Sequence, residues 1–191
     1  MLACGAIAAP VADIVAERGW SVDVRALPPL LHNRPERIAA AVESAALPVA
    51  GRYQRVVVGY ADCGTYGALD EVCARHGWVR LPGLHCYDLF GGAERLRRFF
   101  DESAGTYVLT DFLVRSFRRT VIAELGLDKH PELRDAYFGH YTRAVWLAQQ
   151  PDEELRVLAH SAADELGLPL TEVPTGTAGL ERALAEALGE T

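Results

Sequence analysis

The stretch Val56-Val57-Val58-Gly59-Tyr60-Ala61-Asp62-Cys63-Gly64-Thr65-Tyr66-Gly67 constrains the fold more than any other part of the chain. A β-branched run rises from the polar flank Tyr53-Gln54-Arg55 and stops at a turn punctuated by glycines. Helical spacing follows at once, with Leu69, Val72, Cys73 and His76 at i, i+3, i+4 and i+7. This is strand, tight loop and helix, with Cys63 just past the carboxyl end of the strand. A strand that runs straight into a helix pairs with its neighbours in parallel, because the crossover carries the chain back to the other end of the sheet.

The same grammar recurs. Met1 to Cys4 reads as the last part of a first strand, shortened at its start, and Gly5 opens a helix over Ile7 to Arg18 that Gly19 stops. Val22 to Leu27 alternates as a strand, Pro28-Pro29 ends it, and Leu30 to Pro35 connects into a helix from Glu36 to about Ala46. Val79 to Leu84 predicts a short strand curtailed by Pro82, followed by a helix over Ala93 to Glu102. Gly105 to Asp111 predicts another strand, then a helix from about Phe112 to Leu125, and a further helix starts at His130. Its aromatics Tyr137, Phe138 and Tyr141 suit packing, a dimer surface or a substrate wall. Ala144 to Gln149, Asp152 to Leu166, Leu170 to Val173 and Ala178 to Leu188 complete the alternation. The fold class is therefore α/β: a mostly parallel sheet covered by helices, with the site at the carboxyl ends of the strands. The sequence reads as one domain over residues 1–191, the part from about residue 131 forming a small C-terminal lobe.

Half of the 191 residues are hydrophobic, enough for a sizeable core, and the formal net charge of −7 argues against a nucleic-acid partner. No apolar run of about 18 residues is present and the start lacks a secretory signal, so a cytoplasmic protein off the membrane is expected. In that reducing compartment the four cysteines stay free thiols, and those set in turns beside glycine and histidine read as metal ligands or nucleophiles. Cys4, Cys63 and Cys86 each lie in a loop at a strand end, whereas Cys73 falls on the buried stripe of a helix and reads as core.

Three thiolates brought to one mouth hold either a [4Fe-4S] cluster, leaving one iron open as a Lewis acid, or a Zn2+ ion with its fourth position free. Around these metal candidates, Asp62, His85, His32 and Asp111 are the candidate catalytic groups. Gly5 and Gly64 stand at helix starts that suit a cofactor. Asn33, Arg34, Thr110 and Gln149 are candidates for binding a small anionic or sulfur-containing substrate. Each has a plainer role open to it: Asp62 and Asp111 as caps, His32 as a surface residue, Arg34 as a partner of Glu36. A metal-free alternative makes Cys63 a covalent nucleophile with Asp62 and His32 or His85, and a third makes the protein a metal or cofactor carrier.

Several motifs together resemble the bacterial and archaeal family filed as domain of unknown function 1638. They are Ala3-Cys4-Gly5, Leu31-His32-Asn33-Arg34-Pro35, Tyr60-Ala61-Asp62-Cys63-Gly64, His85-Cys86-Tyr87, Gly105-Thr106, Leu109-Thr110-Asp111-Phe112-Leu113, Leu125-Gly126-Leu127-Asp128 and His130-Pro131-Glu132-Leu133. They span nearly the whole chain. The resemblance implies corrinoid and methyl-transfer gene neighbourhoods, hence one-carbon metabolism, and a corrinoid or methyltransferase partner or a homodimer.

Overall fold

In the computed structural model, which describes residues 1–190, β1 (Leu2–Cys4) is buried along its whole length. A strand covered on both faces has no need to alternate, which is why Leu-Ala-Cys suffices. α1 (Ala8–Arg18) buries Val11, Ile14 and Val15 and ends at Gly19, whose left-handed backbone donates to the carbonyls of Ala16 and Val15. β2 (Arg25–Leu27) is shorter than its alternating sequence predicts. Pro28-Pro29 then turns the chain into two successive 3-10 turns, Pro29–Asn33 and Pro35–Arg37, ahead of α2 (Ile38–Ala50). β3 (Val57–Gly59), α3 (Ala68–His76) and β4 (Val79–Arg80) follow, and α4 (Asp88–Gly91) closes this part. β4 stops early because Pro82 has no N–H to continue the ladder. The four strands form one sheet in the order β2-β1-β3-β4, every pair parallel.

A second sheet is built from the next stretch. α5 (Ala93–Glu102), β5 (Thr106–Thr110), α6 (Asp111–Phe117), α7 (Arg134–Phe138), β6 (Arg143–Ala148), α8 (Glu153–Leu166) and β7 (Leu170–Pro174) give the order β5-β6-β7, again all parallel. The helix expected to run to Leu125 leaves α-geometry at Arg118 and continues as a π turn over Arg118–Ile122. Two side chains compete for its carbonyls: the Ser116 hydroxyl donates to Phe112 O at 2.7 Å and the Thr120 hydroxyl to Ser116 O at 3.0 Å. Leu109, Trp146, Phe117, Leu155 and Leu166 anchor this core. Phe138 and Tyr141 meet the Tyr107 ring edge-on at 5.6 and 5.2 Å, so these two rings after His130 are packing residues.

The chain divides into two compact units, Met1–Leu89 with the segment from Thr177 onward, and Phe90–Gly176. The breaks fall at 89/90 and 176/177, and each unit has its own parallel sheet where the sequence reads as one. The returning segment is α9 (Ala178–Leu188), which packs on α1 and buries Leu180 and Leu184 completely, each worth about 1.5–3 kcal/mol. Arg18 pairs with Glu181, and the Arg55 guanidinium donates to Ala187 O at 3.0 Å, at the carbonyl-rich end of α9. No helix among the described residues is long and apolar enough to cross a membrane.

Candidate functional site: a thiol cluster at the switch point

In the first unit, β1 continues through α1 to β2 on one side and pairs with β3 on the other, so the strand order reverses between β1 and β3. The crevice beyond the carboxyl ends of strands at such a reversal is where open α/β sheets bind ligands. Cys4 is the last residue of β1, and Cys63 lies in the loop leaving β3. Cys86 is in the loop beyond β4, and His32 is in the 3-10 turn beyond β2. All four strand ends thus contribute.

The loops are stitched to one another by backbone. Asp62 N–H donates to Gly83 O at 3.1 Å and Cys63 N–H to Leu84 O at 2.7 Å, extending the β3–β4 pairing outward and drawing the Cys63 loop along the Cys86 loop. Gly5 gives the third loop its close approach: a Cβ there would stand 2.5 Å from Leu27 O and 2.8 Å from Pro29. Gly64, at φ +82, lies against Pro35, and its N–H is spent on the Asp62 carboxylate at 3.2 Å. Both glycines serve loop packing in this structure.

Two carboxylates organise the cysteine loops. Asp62 accepts from Gly64 N–H, Tyr66 N–H, Gly67 N–H and the Thr65 hydroxyl at 3.2, 3.2, 3.0 and 2.8 Å. Burial opposes its charge, but the Gly67, Thr65, Tyr66 and Gly64 donors outweigh that and hold the carboxyl below the usual aspartate range. Its oxygens are engaged by the turn, the plainer of its two expected roles. Inside the turn Cys63 and Tyr66 adopt left-handed backbone, at φ 51 and 50. Each costs about 1 kcal/mol at a non-glycine residue, a strain that clusters at working sites. Asp88 does the same for the other loop, accepting from Leu84 N–H and His85 N–H at 2.9 Å each. Nothing in the sequence around Asp88 marks it except its place at a helix start.

The three thiols are buried, at 1% exposure for Cys4, 3% for Cys63 and 8% for Cys86, and they act on one another. Cys63 is pulled down to about 5, first by the Cys86 S–H donating toward it; burial opposes, and His32 adds a second donor. The reciprocal effect raises Cys86, whose proton is held toward Cys63 and whose burial disfavours a second charge. Burial also raises Cys4 and the negative Cys63 raises it further, although the Ala6 and Ile7 backbone N–H groups and, weakly, the Tyr60 hydroxyl oppose this. Cys73 stands apart in α3, raised by burial and by Asp70 with no influence from the other cysteines. Among the described residues no group of three or more His, Cys, Asp or Glu side chains is set as it stands to grip a metal ion.

Tyr60 is the residue missing from the sequence-derived set. It is fully buried, its hydroxyl makes no well-formed hydrogen bond among the described residues, and of the three thiols Cys4 acts on it most, through charge and as a weak acceptor. Its only signal in the sequence is an aromatic two residues after Val58, at the strand's carboxyl end. His85 is half-buried and stacks on Tyr87 at 4.7 Å, beside Cys86 in sequence but not among the groups that set the thiols. Asn33 and Arg34 are exposed next to His32, and Arg34 makes no ion pair among the described residues.

Thr110, Asp111 and Gln149 belong to the second unit, where their polar atoms are engaged. Thr110, not Asp111, caps α6, its hydroxyl accepting from Leu113 N–H at 3.4 Å. Asp111 accepts from Trp146 Nε1, Gln149 N–H and Gln150 N–H at 2.9, 3.1 and 2.8 Å. The Gln149 amide oxygen takes the Asp111 N–H at 2.9 Å, and its nitrogen donates to Leu147 O. These three lock the ends of β5 and β6, which is the structural role their residue types also allow.

Fold and site together define an α/β protein with a buried three-thiol cluster at the switch point of a parallel sheet. The chain belongs to the family described as Protein of unknown function (DUF1638), which matches residues 26–184. The match takes in His32, Tyr60, Cys63 and Cys86 and begins after Cys4. No curated protein and no solved structure matches the chain.

Proposed function

We propose that Cys4, Cys63 and Cys86 hold a metal centre, an iron–sulfur cluster in first place, and that the protein is an enzyme acting through it on a small anionic or sulfur-containing substrate. The observation that supports this is the convergence of three buried thiols from three strand ends, near enough to shift one another's ionisation. A core has no need of such an arrangement, since one isolated buried cysteine such as Cys73 packs as well. Three cysteines leave one corner of a [4Fe-4S] cluster without a protein ligand, and a bound centre of that kind supplies an open iron as Lewis acid. The chain's own residues do the rest. The Ala6 and Ile7 N–H groups face the Cys4 sulfur, His32 sits against Cys63, and Asn33 and Arg34 stand exposed near the mouth where an anion would enter.

Zn2+ on the same three thiolates is the alternative centre, and it would suit thiol activation for methyl transfer with a corrinoid or methyltransferase partner. A second reading follows from one observation, the His32–Cys63 pair: Cys63 would be a nucleophile with no metal. Purification without oxygen, followed by a visible spectrum and analysis for iron, sulfide and zinc, separates the three. Iron and sulfide in equal amounts with a charge-transfer band support the cluster; zinc alone supports the alternative. Neither metal, with turnover that iodoacetamide abolishes, leaves the nucleophile.

A further inference from the structure

Tyr60 follows directly on β3 with 0% of its surface exposed, yet its hydroxyl makes no well-formed hydrogen bond among the described residues. A buried hydroxyl left unpaired costs about 1–3 kcal/mol, and native proteins keep few of them. Bulk water does not reach a residue this deeply covered. The hydroxyl's polar company is Cys4 foremost, then Cys63 and Cys86. A tyrosine keeps its proton at neutral pH, so this O–H is a donor. A protonated thiol is a weak acceptor for it. A cysteine sulfur that has lost its proton to a metal is a good one, and hydrogen bonds to such sulfurs tune the centre they ligate.

We infer that Tyr60 donates a hydrogen bond to the Cys4 sulfur once the three cysteines carry a metal centre, as a positioning residue that fixes that sulfur and tunes the centre. This rests on the metal reading above. It explains why an orphan hydroxyl is retained where phenylalanine would fill the same volume. The donor matters most in the charged, ligated state; in the metal-free one it has only the Cys4 thiol, a weak acceptor.

Tyr60→Phe separates the two states. Metal-free Tyr60→Phe melts at the wild-type temperature or above it, because only a buried hydroxyl with a weak thiol acceptor has gone. Its affinity for Zn(II), measured by chelator competition, falls by about 10-fold or more, the usual effect of removing a group that orients a ligand. After anaerobic reconstitution with ferrous iron and sulfide, its reduction potential moves negative, since a hydrogen bond to sulfur favours the more negative, reduced state. Wild type that takes up metal alongside Tyr60→Phe of equal affinity and potential overturns this inference alone. Wild type that takes up neither metal overturns the metal reading and this inference with it. Should Tyr60→Phe fail to fold, the near-ultraviolet tyrosine absorbance of wild type is followed during Zn(II) uptake. A change supports the contact, and an unchanged spectrum overturns it.

Discussion

Asp62→Ala distinguishes a carboxylate that builds the Cys63 loop from one that does chemistry in it. The substitution removes four acceptor contacts between 2.8 and 3.2 Å. Hydrogen bonds to a charged group contribute about 1.5–3 kcal/mol each, so four would sum to roughly 6–12 kcal/mol if every donor were left dry. They are not: Tyr66 is 96% exposed and its N–H regains water, as the half-buried Gly64 and Gly67 do in part. A loss of about 2–4 kcal/mol is the reasoned figure, including release of the left-handed residues Cys63 and Tyr66 from their clamp. For a chain of this length that is a fall in melting temperature of roughly 5–15 °C. The pH dependence has a definite sign. Folded Asp62 stays charged to lower pH than an ordinary aspartate, so its stabilisation is complete above about pH 5 and drains away as pH falls through its depressed folded value. Thermal melts of wild type and Asp62→Ala should therefore lie far apart at pH 7 and converge in acid. Melts that coincide within about 1 kcal/mol at pH 7 would refute the argument and return Asp62 to the list of candidate bases.

Gly5→Ala should cost at least about 1–3 kcal/mol by overpacking against Leu27 O and Pro29, and should disturb Cys4 and His32 together; a chemical-denaturation midpoint equal to wild type would contradict this. In metal-free protein, iodoacetamide should alkylate Cys63 with a rate that climbs through about pH 5 and levels off, and Cys86→Ala should move that midpoint upward; peptide mapping across pH checks it, and a wild-type midpoint in the ordinary thiol range would be the contrary result. Cys73→Ala should lower stability by about 1 kcal/mol and leave metal uptake unchanged, as melting and elemental analysis together report.

Much of the fold is legible in local pattern, because β-branched runs, glycine stops and helical apolar spacing are short-range signals. Strand β3, the Gly19 helix stop and the parallel pairing all follow from such signals. The π turn at Arg118 does not, since it depends on Ser116 and Thr120 turning their hydroxyls back onto the helix rather than outward. Nor does the existence of two sheets, because which strands pair is a long-range matter that alternation of strand and helix leaves open. At the site, placing Cys4, Cys63 and Cys86 at strand ends follows from the sequence, and their coupling rests on cross-loop bonds such as Cys63 N–H to Leu84 O that no spacing encodes. Thr110, Asp111 and Gln149 have the right residue types at a strand end, yet they serve the loops of their own unit. Tyr60 escapes notice for the opposite reason: a buried aromatic after a strand looks like core until its hydroxyl is seen to be unpaired.

The central claim is that three cysteines act as one ligand set, and metal stoichiometry per chain tests it most directly. Wild type, Cys63→Ala and Cys73→Ala, each purified without oxygen, should divide cleanly: metal in wild type and Cys73→Ala, and none in Cys63→Ala. Equal metal content in Cys63→Ala and wild type would contradict the account.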